Sequence, residues 1–314
     1  MVLDILLLAA GGFGVWLGAE GLVRGAVKLA AYLGVSSLVI GFTVVAFGTS
    51  APELVVSSLA AIRGHAEIAL GNVVGSNVFN ICLVLGLSAI IAPVHVHREV
   101  LSRDIPLVLA ATFVTIGLAY VGNVIGLFDG FVLLLLFVAH SYMSYRLAKR
   151  DQKRTTAEPG WERPTLKTMH IIFLIGGMII LAIGAEAMIR GAVGVAEALG
   201  MSPRIIGMTI VAFGTSVPEL AASVVAAKHG ESDLALGNVV GSNIYNLLLI
   251  LGVTGLIAPI PSGMGMGLSS DFIILLICTI VLYPMARIGL RIGRLDGIAL
   301  ILIYCVFYYF LFFR

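Results

Sequence analysis

Glu53 and Glu219 are the residues with the strongest chemical signal in this chain. Each falls near the middle of a long apolar run, with no Lys or Arg within a helical turn. At the centre of a bilayer an ionised side chain costs about 2.5–3.5 kcal/mol on insertion scales. One such residue can stay protonated, but two at related positions imply a shared counter-charge, and two carboxylates match one divalent cation. Both glutamates close the same motif, G-T-S-x-P-E, as Gly48-Thr49-Ser50-Ala51-Pro52-Glu53 and Gly214-Thr215-Ser216-Val217-Pro218-Glu219. Proline lacks an N–H and disfavours helical geometry in the residue before it. A helical run should therefore break at each motif and leave carbonyls around 46–49 and 212–215 without partners. Irregular backbone at membrane depth is tolerated only where it is buried or lines a cavity. Those carbonyls, the hydroxyls of Thr49, Ser50, Thr215 and Ser216, and one carboxylate per motif make an oxygen-rich cluster. Ca²⁺, which takes about 6–8 oxygen ligands, is a cation for such a cluster. The competing reading, two protonated glutamates tying helices together, is weaker because Ser, Asn or Gln would do that at lower cost.

The run after each motif carries G-N-V-V-G-S-N-x-x-N, over Gly71–Asn80 and Gly237–Asn246. Ser76 and Asn80 are four residues apart and share a helix face, as do Ser242 and Asn246; their neutral oxygens can complete a coordination shell. For Asn72, Asn77, Asn238 and Asn243, interhelical hydrogen bonding and ion contact stay equally open. Other candidates carry less. Glu20–Arg24 and Glu186–Arg190 have i,i+4 spacing and read as charge pairs near helix ends before they read as parts of a gate. Asp4, Asp104, Asp129, Asp271 and Asp296 lie near the ends of apolar runs, where solvation is the default. His95 and His97 flank a loop without further ligands. Cys82, Cys278 and Cys305 have no paired spacing and read as small buried residues. No P-loop, GxGxxG, HExxH or GxSxG motif occurs, so the chain does not read as an enzyme, and any transport must be driven by an ion gradient.

The elements that hold these residues follow from composition. Of 314 residues, 60% are hydrophobic and 11% charged, against about 45–50% and 25% in soluble domains. This excludes a soluble enzyme, a disordered chain and a nucleic-acid binder, and the long apolar runs exclude a β-barrel. The expected fold is an all-α polytopic membrane protein. Ten runs approach the roughly 20 residues that cross a hydrocarbon core: 3–33, 37–62, 67–92, 104–122, 125–147, 168–199, 203–227, 233–258, 271–286 and 295–313. The first has no basic leader or cleavage site and reads as a retained span. Only 149–166 reads as a linker, and 263–267 (GMGMG) as a flexible outer loop. With the linker cytoplasmic, 15 of the 19 Lys and Arg fall inside, which places both termini outside.

Self-comparison divides the chain. Gly41–Asn80 aligns with Gly207–Asn246 at an offset of 166 without a gap, and 25 of 40 positions are identical. The same offset pairs Glu20 with Glu186, Arg24 with Arg190 and Pro93 with Pro259. The chain reads as two five-span repeats, 1–148 and 167–314, joined by the 149–166 linker. Five is odd, so the second repeat enters the membrane inverted, as in secondary transporters with an ion site at the midplane.

Over essentially its whole length the chain resembles the calcium/cation antiporter superfamily, and within it the prokaryotic sodium/calcium exchangers. GTSAPE, GTSVPE and the two GSNxxN segments look like that family's repeats. The resemblance implies ion sites between the second, third, seventh and eighth spans, one central for Ca²⁺ and flanking ones for Na⁺. By motif its ligands fall on the backbone oxygens of Ala46, Thr49, Ala212 and Thr215, and on the side chains of Ser50, Glu53, Ser76, Asn80, Ser216, Glu219, Ser242 and Asn246. Some relatives have Asp at the position of Asn246, and its absence argues against K⁺ co-transport. Thr-Ser after the motif glycine favours Na⁺ over H⁺. The implied activity is electrogenic Na⁺/Ca²⁺ antiport at a plasma membrane by alternating access, with no cofactor. The partners are the two ions and the lipid bilayer, not nucleic acid, and oligomeric state is left open. The first and sixth spans would slide past the rest. The alternatives are a proton/Ca²⁺ antiporter and, in a different class, a cation channel or Ca²⁺-binding membrane protein.

Overall fold

The computed structural model describes residues 1–157, 161–200, 212–262 and 268–312. The first half begins with α1 (Val2–Leu33), followed by α2 (Ser37–Thr49) and α3 (Ala51–Ile62). The last two form one span bent by 42°. The bend sits where Pro52 requires it: Ser50 leaves helical geometry at φ −83°, ψ 1°, and Pro52 lies in the first turn of α3, where its missing N–H has no partner to lose. Next come α4 (66–91), β1 (Val94–His95), α5 (Val100–Gly122), β2 (Val124–Ile125) and α6 (Leu127–Thr156).

The second half contains α7 (Thr168–Ala198), α8 (Ala212–Thr215), α9 (Val217–Lys228), α10 (Ser232–Ile257), β3 (Ile260–Pro261), α11 (Leu268–Arg287), β4 (Arg291–Ile292) and α12 (Arg294–Phe312). Between α8 and α9, Ser216 repeats the break at φ −96°, ψ 6°. Among the described residues seven helices are long and apolar enough to cross a membrane, and the bent α2–α3 pair makes an eighth. The expected span 203–227 lies outside the described residues up to 211 and continues as α8 and α9. The expected loop at 263–267 also lies outside them.

α6 runs on to Thr156, past the start of the expected linker at 149. Lys149, Arg150, Gln152, Lys153 and Arg154 are unbranched helix formers, and from there on no Gly or Pro appears before Pro159. Among the described residues, π-helical turns lie at Gly41–Val45, Asn80–Val84, Val100–Asp104 and Tyr245–Ile250. Each carries an extra residue in the turn, an arrangement often found at functional sites.

Contacts between loops sort the ends of the helices. β1 pairs with β4 (Val94↔Ile292), and β2 pairs with β3 (Val124↔Pro261). On the linker's side, Gln152 Nε2 donates to the Leu33 carbonyl at 2.9 Å, and Ser37 Oγ to Glu231 at 3.2 Å. We call this the linker face. The central helices are α4 and α10, each with 72% of its apolar window buried, against 22% for α1 and 28% for α7. Val73, Val78 and Leu85 of α4 and Val239, Ile244 and Leu251 of α10 share one core.

α1 and α7 pack antiparallel along their whole length on a seam of glycines spaced by seven. Gly11, Gly18 and Gly25 meet the backbone of Met188, Leu181 and Leu174; Gly177, Gly184 and Gly191 meet Leu22, Val15 and Leu8. A Cβ on Gly18 would overlap the Leu181 backbone, and neither rigid helix can yield locally. Gly18→Ala and Gly184→Ala are each expected to destabilise the protein by about 1–3 kcal/mol through overpacking. Thermal unfolding in detergent should show both with a lowered Tm. The open Gly12, with nothing near its Cβ position, should accept alanine.

Candidate ion site at the paired helix breaks

The two breaks face each other across the middle of the molecule, and the side chains there reach into the opposite half. Ser50 Oγ donates to Glu219 Oε1 at 3.0 Å, and Ser216 Oγ donates to Glu53 Oε1 at 3.2 Å. Each carboxylate is therefore held by the serine of the other motif. Both glutamates are 0% exposed, and both Oε2 atoms lack a hydrogen-bond partner. The threonines also cross: Thr49 Oγ1 donates to Asn238 Oδ1 at 3.1 Å, and Thr215 Oγ1 to Asn72 Oδ1 at 3.3 Å.

Asn72 and Asn238 act as braces. Asn72 Nδ2 donates to Ser57 Oγ at 3.0 Å and to the Glu53 carbonyl at 3.5 Å; Asn238 Nδ2 donates to Ser223 Oγ at 2.9 Å and to the Glu219 carbonyl at 3.3 Å. With both ends of each amide engaged, hydrogen bonding is the better account of this pair. Asn77 and Asn243 stay divided: Asn77 Nδ2 donates to the Val73 carbonyl at 2.7 Å, while Asn77 Oδ1 and both polar atoms of the Asn243 side chain lack partners. Ser57 and Ser223 were not singled out from the sequence. They are repeat mates four residues after the glutamates, so the duplication itself held the signal.

The remaining candidate side chains lie on α4 and α10, the helices that follow the breaks. Asn80 starts one π-helical turn and Asn246 lies in another. Both are fully buried, and the oxygen and nitrogen of each lack partners. Ser76 Oγ lies 3.0 Å from Ser216 Oγ and can donate to it, whereas Ser242 Oγ has no partner. Leaving a buried polar atom unpaired costs about 1–3 kcal/mol. The unpartnered atoms of Glu53, Asn80, Glu219, Ser242 and Asn246 come from both halves and include one oxygen of each carboxylate. Among the described residues no group of three His, Cys, Asp or Glu gathers, so two carboxylates and neutral oxygens are what this site can offer. That composition suits a hard cation.

The backbone oxygens fit the expectation less well. Pro52 does not free the carbonyl of Ala46, which accepts from Ser50 N at 3.0 Å and Thr49 Oγ1 at 3.3 Å. Ser50 still reaches its i−4 partner before the chain turns. In the second half Ser216 N bonds the Phe213 carbonyl at 3.2 Å. Thr49 and Thr215 end their short helices, and Ala212 begins α8.

Several weaker candidates settle as structure. Asp104 is buried against expectation because Arg103 holds both its oxygens, at 2.6 and 2.8 Å. Asp129 and Asp296 accept from the Gly126 and Gly293 amides at helix starts. His97 pairs with Asp233 at 3.1 Å. Cys82 and Cys278 are buried with Sγ atoms 3.4 Å apart, but Cys305 is exposed on the outer side of α12, contrary to its reading as buried.

The two halves are covered unequally. Val217, Ala222, Val225 and Ala226 of α9 form one core with Val15, Ala19, Leu22 and Ala26 of α1. The mates of these α9 residues on α3 have no such cover from α7: Leu59 is 44% exposed where its mate Val225 is 6%.

Residues 3–146 and 169–313 match the family described as sodium/calcium exchanger protein. The sodium/calcium exchanger MaX1 of Methanosarcina acetivorans is 31% identical over 336 residues, covering 94% of this chain and 95% of MaX1.

 The inner membrane protein YrbG of Escherichia coli (strain K12) is 36% identical over 265 residues, covering 82% of this chain and 81% of YrbG. A solved structure of the sodium-calcium exchanger NCX_Mj, soaked with 10 mM Na⁺ and 10 mM Sr²⁺, superposes with a TM-score of 0.84 at 34% identity and covers 97% of both chains.

Proposed function

The chain belongs to the sodium/calcium exchanger protein family, a family of secondary transporters and not of enzymes, and we propose that it exchanges Na⁺ for Ca²⁺ by alternating access. The observation that carries this reading is the crossed pair of buried glutamates, each bonded to the other half's serine and each with one oxygen left open. Ca²⁺ balances the two carboxylates, and the hydroxyls and amides of Ser50, Ser76, Asn80, Ser216, Ser242 and Asn246 supply neutral oxygens around it. The backbone oxygens of Thr49 and Thr215, with those of Ala46 and Ala212, complete the proposed ligand set. The sites lie between α2–α3, α4, α8–α9 and α10, near the midplane.

We take the chain as ten spans in two inverted five-helix repeats, 1–148 and 167–314. The antiparallel run of the mates α1 and α7 supports this, as does the pairing of loops expected on one side. The unequal cover of α3 and α9 supports alternating access, because two near-identical halves then differ in which one is closed. The protein sits in a plasma membrane with both termini outside, and three Na⁺ against one Ca²⁺ make the exchange electrogenic.

The test is ⁴⁵Ca²⁺ uptake into proteoliposomes under Na⁺, K⁺ and H⁺ gradients applied separately. Uptake is expected with the Na⁺ gradient alone, and an inside-positive or inside-negative potential should change its rate. Uptake driven by a pH gradient without Na⁺ would replace this reading with proton/Ca²⁺ antiport.

A further inference from the structure

Glu20 of α1 has two partners. Arg24, one turn on, reaches it at 2.7 Å, and His229, at the end of α9, reaches both its oxygens at 2.9 Å. The second contact ties α1 to the turn between α9 and α10 on the linker face. Its repeat mate is sharply defined: an offset of 166 turns Glu20 into Glu186 on α7, and His229 into Arg63, the residue after α3. Glu186 keeps the first contact, to Arg190 at 2.6 Å. The second is absent, since among the described residues Glu186 and Arg63 form no pair with each other. The side chain of Glu186 is 57% exposed, against 16% for Glu20.

The absent contact coincides with the uncovered surface. α1 covers α9 where Glu20 meets His229, and α7 leaves α3 open where Glu186 would meet Arg63. Both unmatched residues keep opposite charge, although His and Arg differ in type. Resting on the alternating-access reading above, we propose that Glu20–His229 and Glu186–Arg63 are alternating latches, one closed on each face in turn, that hold α1 and α7 against the ion-site helices. The closed latch borders an open groove of about 340 Å³ lined in part by Arg24, Lys28, His170 and His229.

The test reads the unseen pair directly and does not depend on transport. In a background with the three cysteines replaced, Glu186→Cys and Arg63→Cys are joined by a short bis-methanethiosulfonate reagent. After cleavage in the 149–166 segment, linked halves run as one band. Cross-linking is expected, and adding His229→Gln should raise its yield about three- to fivefold, the effect of one partly exposed ion pair on a two-state balance. His229→Arg, which copies the mate, should return the yield to its starting level. No cross-link in any background, or a yield indifferent to His229→Gln, overturns the latches. Na⁺-driven Ca²⁺ uptake by the unmodified protein, run in parallel, judges the exchanger reading separately.

Discussion

Glu53→Gln and Glu219→Gln are each expected to lower Na⁺-driven Ca²⁺ uptake by at least about 100-fold, equivalent to about 2.7 kcal/mol of lost ion binding. The substitution barely changes shape. It replaces one carboxylate oxygen with an amide N–H₂ and removes a charge in a site with no exposure to water. The open Oε2 becomes a donor in one rotamer, and in the other the amide confronts the serine hydroxyl of the opposite half. A divalent ion then faces one carboxylate where it needs two, and a low dielectric magnifies the imbalance. The empty protein should respond in the other direction. Glutamine cannot ionise and spares the ion-free protein an uncompensated buried charge, so Tm without Ca²⁺ should hold or rise. The rise in Tm on adding Ca²⁺, which reports binding to the folded state, should vanish. Wild-type uptake in both variants would defeat the assignment of the ion site.

Asn238→Ala should show the second-largest effect, by a different route. Its side chain joins three elements at once, accepting from Thr49 and donating to Ser223 and the Glu219 carbonyl. Alanine removes all three bonds; Thr49 Oγ1 still reaches the Ala46 carbonyl, but the buried Ser223 hydroxyl loses its amide partner, at about 1–3 kcal/mol. The break at Ser216 and the position of Glu219 both depend on that brace. Tm should fall by several degrees whether or not Ca²⁺ is present, and uptake by about 10-fold or more. This separates it from the glutamate variants, where the empty protein keeps its stability. Asn72→Ala should behave in the same way through Ser57 and Thr215. An unchanged Tm in both would show that the amides do not brace the site.

The sequence by itself determined the membrane class, most span positions, the duplication and the two glutamates with their broken helices. These are properties of local pattern: apolar length sets what can cross a bilayer, proline sets where a helix breaks, and a fixed offset exposes the repeat. It did not reveal that Ser50 serves Glu219 while Ser216 serves Glu53. Identical motifs offer each serine two equivalent glutamates, and only the docking of the halves chooses between them. The same docking turned Asn72 and Asn238 into braces, recruited Ser57 and Ser223, and covered α9 while leaving α3 open. Local chemistry decided the rest of what was missed. The carbonyl of Ala46 stayed occupied because its donor, the Ser50 amide, precedes the proline. Partners more than a hundred residues apart leave no periodic trace, so tertiary packing alone could bring each serine to the glutamate of the other half.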